Sequence, residues 1–182
     1  MKISKTEFDG LLIIEPIVHG DQRGYFMESY NKEKLEQAGI KYQFVQDNQS
    51  RSRKGVLRGL HYQNSPHTQT KLVRVLSGTI LDIVVDLRND KTTFGKKMVI
   101  ELSAKNKKEL LIPKGFAHGF YVLSDFADVL YKSDYYYRPQ SEGGINLLDP
   151  VLDLNYLIDN RPVIMSEKDK SLPNLENAVF NF

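Results

Sequence analysis

KLVRVLSGTILDIVVDLR, residues 71–88, is the stretch that decides the fold class. Leu72 to Leu76 and Thr79 to Leu87 are dense in Val, Ile and Leu, and Ser77-Gly78 divides them. Short β-branched runs bounded by turn residues read as strands, so this segment predicts two strands around a tight turn. Outward from it the same signature recurs in KMVIELSA (97–104), LLIP (110–113), HGFYVLS (118–124) and DVLYKSDYYY (128–137). In the last of these, Val129, Tyr131, Ser133 and Tyr135 share a face, because strand side chains alternate. LLIIEPIV (11–18) is apolar but cut by Pro16, which suits an edge or a bulge. Helix is scarce. NKEKLEQAG (31–39) reads as one short helix with Asn31 as cap and Gly39 as terminator. Ser166 to Asp169, SEKD, has the form of a capping box. Many short strands with turn signals between them predict an all-β fold, a sandwich or a double-sheet jelly roll, with a few short helices.

The 182 residues suit a single domain, 1–182, with a substantial core, and 41% of them are hydrophobic. There is no internal repeat or linker-like segment. No run reaches the roughly 20 apolar residues of a membrane span, and MKISKTEFDG lacks the apolar stretch of a signal peptide. A cytoplasmic protein is expected. Cysteine is absent, which excludes disulfides and thiolate chemistry. The net charge of +2 argues against bulk nucleic-acid binding but leaves room for a small anion held by a few placed cations.

Of the four histidines, His61 and His118 sit in patterned surroundings. His118 closes the P-x-G-x-x-H of LLIPKGFAHGF, which resembles half of the second cupin motif. The segment from Gly55 to Gly78 is similar to the first cupin motif, with His61 in place. Gln63 stands where that motif has a second histidine, and Lys71 stands at its glutamate position. An ammonium has no lone pair to donate and repels a divalent ion. A cupin-like barrel in which acid–base groups replace the metal ligands is therefore expected. A metal-dependent cupin and a non-catalytic sugar-nucleotide binder are the competing readings.

Longer matches extend the resemblance. GDQRGYFMESYN (20–31), FVQDNQSRS (44–52), GVLRGLHYQ (55–63), the 71–88 segment, residues 93–120, YKSDYYYRPQSEGGI (131–145) and SEKD together resemble the dTDP-4-dehydrorhamnose 3,5-epimerase family. The resemblance implies a jelly-roll homodimer with no cofactor and no metal. Its implied reaction is epimerisation of dTDP-4-dehydro-6-deoxy-D-glucose at carbons 3 and 5. Epimerisation at one carbon only, or on a related nucleotide sugar, stays open.

The resemblance also implies roles for single residues. His61 would be the base, with Asp169 as its carboxylate partner. Tyr131 would be the acid, and Lys71 the cation beside the enolate oxygen. Arg23 and Arg58 would hold phosphate, which guanidinium geometry suits. Glu28, Gln46, Asp47 and Asn48 would contact the nucleotide or order the pocket, and Tyr137 would stack on thymine. His118, Glu142 and Lys168 would complete the binding set. Each residue has a plainer alternative. Asp169 is also the capping-box acid, Gln46-Asp47-Asn48 also reads as a turn, and an aromatic in a strand is commonly core. Single lysines and arginines are most often solvated.

Overall fold

The computed structural model describes residues 1–158 and 161–182. Two sheets carry it. The first has six strands in the order β1 (Lys2–Lys5), β2 (Leu12–Glu15), β10 (Glu109–Ile112), β7 (Lys71–Ser77), β12 (Phe126–Ser133) and β5 (Gln46–Arg53). The second has five, in the order β13 (Glu142–Gly144), β6 (Leu57–Gln63), β11 (Phe116–Val122), β8 (Thr79–Asp86) and β9 (Lys97–Ser103). A separate hairpin, β3 (Val18–Asp21) with β4 (Gly24–Met27), stands off both. Two short helices, α1 (Lys32–Gln37) and α2 (Glu167–Lys170), and a few 3₁₀ turns complete the chain. This is a double-sheet, cupin-like jelly roll, one of the two architectures that the strand pattern allows and the one that the histidine motifs point to.

Both strands of the 71–88 segment form, but they do not pair with each other. β7 pairs with β10 and β12, while β8 pairs with β9 and β11. Gly78 is therefore a corner at which the chain leaves one sheet and enters the other. Its φ of 80° lies where glycine is favoured, and a Cβ there would sit 2.0 Å from the Phe126 carbonyl oxygen.

The reason β8 shows no polar–apolar alternation is that both faces of its sheet are covered. Ile80 and Val84 point inward and pack with Val73, Val75 and Val129 of the facing sheet. Ile83 and Val85 point outward and are covered by Leu147, Leu152, Leu154 and Leu157. Each such fully buried aliphatic side chain contributes about 1.5–3 kcal/mol. On the outer face of the six-stranded sheet, Leu35 of α1 closes over Ile14, Leu72 and Leu111. The cap of α1 is as expected: Asn31 Oδ1 accepts from the Lys34 amide, and Gly39 follows with φ 84°.

Two strands differ in extent from their sequence patterns. β2 stops at Glu15, and Pro16 separates it from β3. β12 ends at Ser133 rather than continuing to Tyr137. Asp134 turns the chain there, because its Oδ1 accepts the Thr70 amide at 2.6 Å and its own amide donates to the Thr70 carbonyl.

Candidate active site

β6 and β11 lie side by side in the five-stranded sheet, with His61 directly opposite His118. Opposed residues of an antiparallel pair share a face, so both imidazoles point into the interior. The two backbones approach closely where Gly59, at φ 108°, meets Gly119. A Cβ on Gly59 would lie 2.7 Å from the His118 carbonyl oxygen. These glycines let the two histidine-bearing strands cross at that distance.

Each imidazole is held by a buried carboxylate. His61 Nε2 donates to Asp169 Oδ1 at 2.7 Å. His118 Nε2 donates to Asp82 Oδ2 at 2.9 Å and contacts Oδ1 at 3.1 Å. A carboxylate only accepts, so Nε2 carries a proton in each ring, and in the neutral ring the lone pair is then on Nδ1. Asp169 fills both of the places read for it. Its amide is capped by Ser166 Oγ at 3.0 Å, and its carboxylate faces His61. Burial pushes its pKa upward, but the hydrogen bond and charge of His61, together with Ser166 and the Gly59 backbone, hold it below the usual carboxylate value.

Across the interior, the inward face of the six-stranded sheet presents Lys71 and Tyr131. Lys71 Nζ lies 5.7 Å from the centre of the Tyr131 ring. Burial lowers the Lys71 pKa to about 8, against the opposing pull of Asp82 and Glu142. Burial also raises the Tyr131 phenol, Arg58 pulls it down, and Glu142 adds to the rise. His61, His118, Lys71, Tyr131, Arg58 and Lys168 all line one cavity of about 680 Å³. That size suits a small-molecule ligand.

The rim is built from a second cluster. Glu142 Oε2 accepts from Lys168 Nζ at 2.6 Å and from the Tyr137 hydroxyl at 2.7 Å. Gln46 Oε1 accepts the Tyr137 amide, and Gln46 Nε2 donates to Asn48 Oδ1. Residues 46–48 are thus not a turn but the start of edge strand β5. Alternation there turns Gln46 and Asn48 inward. It turns Asp47 outward, where both its oxygens accept from Lys132 Nζ at 3.0 Å. Arg23 and Glu28 do not join the cavity of this chain. Arg23 is paired with Asp21 on the β3–β4 hairpin, and Glu28 with Lys34 and Asn31.

Gln63, at the second-histidine position, has its amide committed elsewhere. Its Nε2 donates to the carbonyls of His67 and Tyr136, and its Oε1 accepts the Arg138 amide. It ties the loop after β6 to the segment that carries Tyr137. Among the described residues, no group of three or more His, Asp or Glu side chains is placed to hold a metal ion. Asp82 is the site residue missed from the sequence. A carboxylate in the middle of the apolar run ILDIVV was a usable signal, since a buried charge needs a partner.

Fold and site together define a class: a cupin-type jelly roll whose interior holds carboxylate-supported imidazoles facing a phenol and an ammonium. The family model described as dTDP-4-dehydrorhamnose 3,5-epimerase matches residues 5–177. The dTDP-4-dehydrorhamnose 3,5-epimerase of Shigella flexneri is 49% identical over 170 residues, covering 93% of each chain. The crystal structure of the Elizabethkingia anophelis enzyme of the same name superposes with a TM-score of 0.91 at 47% identity, covering 97% of both chains. That of a Legionella pneumophila dTDP-6-deoxy-D-glucose-3,5-epimerase, in complex with dTDP-4-keto-L-rhamnose, gives 0.91 at 50% identity, covering 97% of this chain and 93% of that one. The chain belongs to the dTDP-4-dehydrorhamnose 3,5-epimerase family and is an isomerase.

Proposed function

We propose that the chain epimerises dTDP-4-dehydro-6-deoxy-D-glucose at carbons 3 and 5, giving dTDP-4-dehydro-L-rhamnose for dTDP-L-rhamnose synthesis. The observation that carries this reading is the split of the site between two sheets. His61 rises from the five-stranded sheet and Tyr131 from the six-stranded sheet, and both line one cavity. A sugar ring lying between them has a base on one face and an acid on the other, which inversion at carbon requires.

The ketone acidifies the protons on its two neighbouring carbons. His61 Nδ1 takes one of them, and Asp169 stabilises the imidazolium that forms. The electron pair moves onto the carbonyl oxygen, where the Lys71 ammonium stabilises it. Tyr131 returns a proton to the opposite face of the carbon. Exchange with solvent then resets imidazolium and phenolate, and the cycle repeats at the other carbon. Arg58 and Lys168 suit the pyrophosphate as cations at the cavity mouth, His118 suits a ring hydroxyl, and Tyr137 suits the base at the rim.

The protein acts as one jelly-roll domain and as a homodimer. Ile17, Tyr25 and Phe26 on and beside the β3–β4 hairpin are each at least 60% exposed, which suits an arm laid on a second copy. Such an arm would carry Arg23 toward the partner's cavity. Among the described residues, no helix is long and apolar enough to cross a membrane, and a cytoplasmic site of action fits this.

The test is solvent exchange. The protein is incubated with the 4-keto substrate in deuterium oxide, and the sugar is read by NMR. Deuterium at both carbons 3 and 5 is expected. Deuterium at one carbon reduces the activity to a single epimerisation, and none at either overturns it.

A further inference from the structure

Behind the catalytic cavity lies a second space of about 10 Å³, roughly the room one water needs. Lys71 and His118 line both spaces, so these two side chains form the partition between them. Tyr62, Gln63, Gln69, Ile112, Gly115 and Phe116 supply most of the remaining wall. Phe182 completes it, from a segment that takes no part in either sheet.

Residues 179–182 are fixed in place by several bonds. The Tyr62 hydroxyl donates to the Val179 carbonyl at 3.0 Å. The Asn181 amide donates to Asn64 Oδ1, and the Ser65 amide donates to Asn181 Oδ1. The Phe182 ring stands edge-on to Tyr62 at 5.5 Å and is stacked with Phe180 at 5.9 Å. The segment therefore grips the end of β6 just past His61, where the loop toward Lys71 begins. Phe182 as a whole is 44% exposed. Phe182 is the part of the rear wall that this segment contributes.

We infer that Phe182 is a positioning residue for the epimerisation: its ring seals the rear of the site and keeps bulk water away from Lys71 and His118. The inference rests on the proposed role of Lys71 as the cation beside the enolate. The side chains facing Lys71 are Tyr131 on β12, His118 on β11 with Asp82 on β8, Glu142 on β13 and His61 on β6. None of these lies on the segment that would be altered. Removing the phenyl ring opens the rear space to solvent and relieves the burial that depresses the Lys71 pKa. It also weakens the field that the ammonium exerts on the enolate oxygen.

The experiment compares the parent protein with Phe182→Ala, Phe182→Leu and Val179→Ala, measuring kcat and KM on the 4-keto substrate across pH. For Phe182→Ala, kcat falls about three- to tenfold, less than the loss of a whole oxyanion donor, with little change in KM. Its alkaline limb moves from about 8 toward the ordinary lysine value of 10.5. Phe182→Leu refills most of the space and returns both quantities toward the parent. Val179→Ala leaves them unchanged, because Val179 is 81% exposed and bonds through its carbonyl. An unaltered alkaline limb in a folded Phe182→Ala protein, or a leucine variant no better than the alanine one, overturns the inference. Absence of turnover in the parent protein would instead overturn the proposed function.

Discussion

Glu109 is a carboxyl group in the wrong place for a charge, and replacing it with Gln gives a quantitative test of the fold. It lies on β10, is 2% exposed, and its Oε1 has no hydrogen-bond partner. Arg74 approaches only to 4.0 Å. Burial outweighs the pull of Arg74 and Lys132, and the pKa is pushed from 4.5 up to about 7. Between those two pH values the folded state holds a proton that the unfolded state has released. The stability this provides is fully present below 4.5 and is lost as pH rises through 7. A shift of about 2.5 units at 1.36 kcal/mol per unit corresponds to about 3 kcal/mol. An Arg74 that swings onto the ionised carboxylate recovers part of this, so about 2–3 kcal/mol is expected. Gln cannot ionise, and any constant cost of its amide cancels when two pH values are compared. Urea melts of both proteins at pH 4.5 and pH 8 should show the parent losing about 2–3 kcal/mol more than Glu109→Gln between them. Parallel losses would refute the claim that Glu109 is neutral in the folded protein.

The remaining predictions concern the site and the corner. His61→Asn should lower kcat about 10²–10⁴-fold while a dTDP titration shows near-parental affinity; loss of affinity with kcat retained would make His61 a binding group. Asp169→Asn offers an N–H where the imidazole needs an acceptor, so it should favour the wrong tautomer and lower kcat at least about a hundredfold. Activity within about twofold of the parent would remove Asp169 from the mechanism. Gly78→Ala places a methyl against the Phe126 carbonyl at a positive φ, so denaturant unfolding should show a loss of more than about 1 kcal/mol.

The strands buried on both faces were the legible ones, because their apolar runs need no interpretation of phase. β8, β10 and β11 belong to this group. β5 was hidden because QDNQSRSR has no apolar residue at all, and of its inward residues Asn48 and Ser50 line the cavity while Gln46 holds Asn48 and the Tyr137 amide. Its polar inner face is what makes it a wall of a site rather than of the core. The turn at Gly78 was visible, but the sheet change was not. A glycine turn between two apolar runs looks the same whether the strands pair or part. In the site, spacing drew attention to His61 and His118, and the broken metal set pointed to Lys71. Tyr131 could be singled out from ten tyrosines only by resemblance, since nothing local in YKSDYYY distinguishes it. Strand alternation sends Asp47, the middle residue of Gln46-Asp47-Asn48, to the opposite face, where it pairs with Lys132.

The placement of the proposed base and acid, His61 and Tyr131, on different sheets has a mechanical consequence. Their separation is a thickness, set by the valines and isoleucines packed between the layers rather than by any residue beside the substrate. Val73, Val75, Ile80, Val84 and Val129 act as spacers for the reaction gap. Adding or deleting a methylene among them tunes proton transfer from a distance, and hydrostatic pressure, which squeezes interlayer voids, becomes a probe of catalysis as well as of folding.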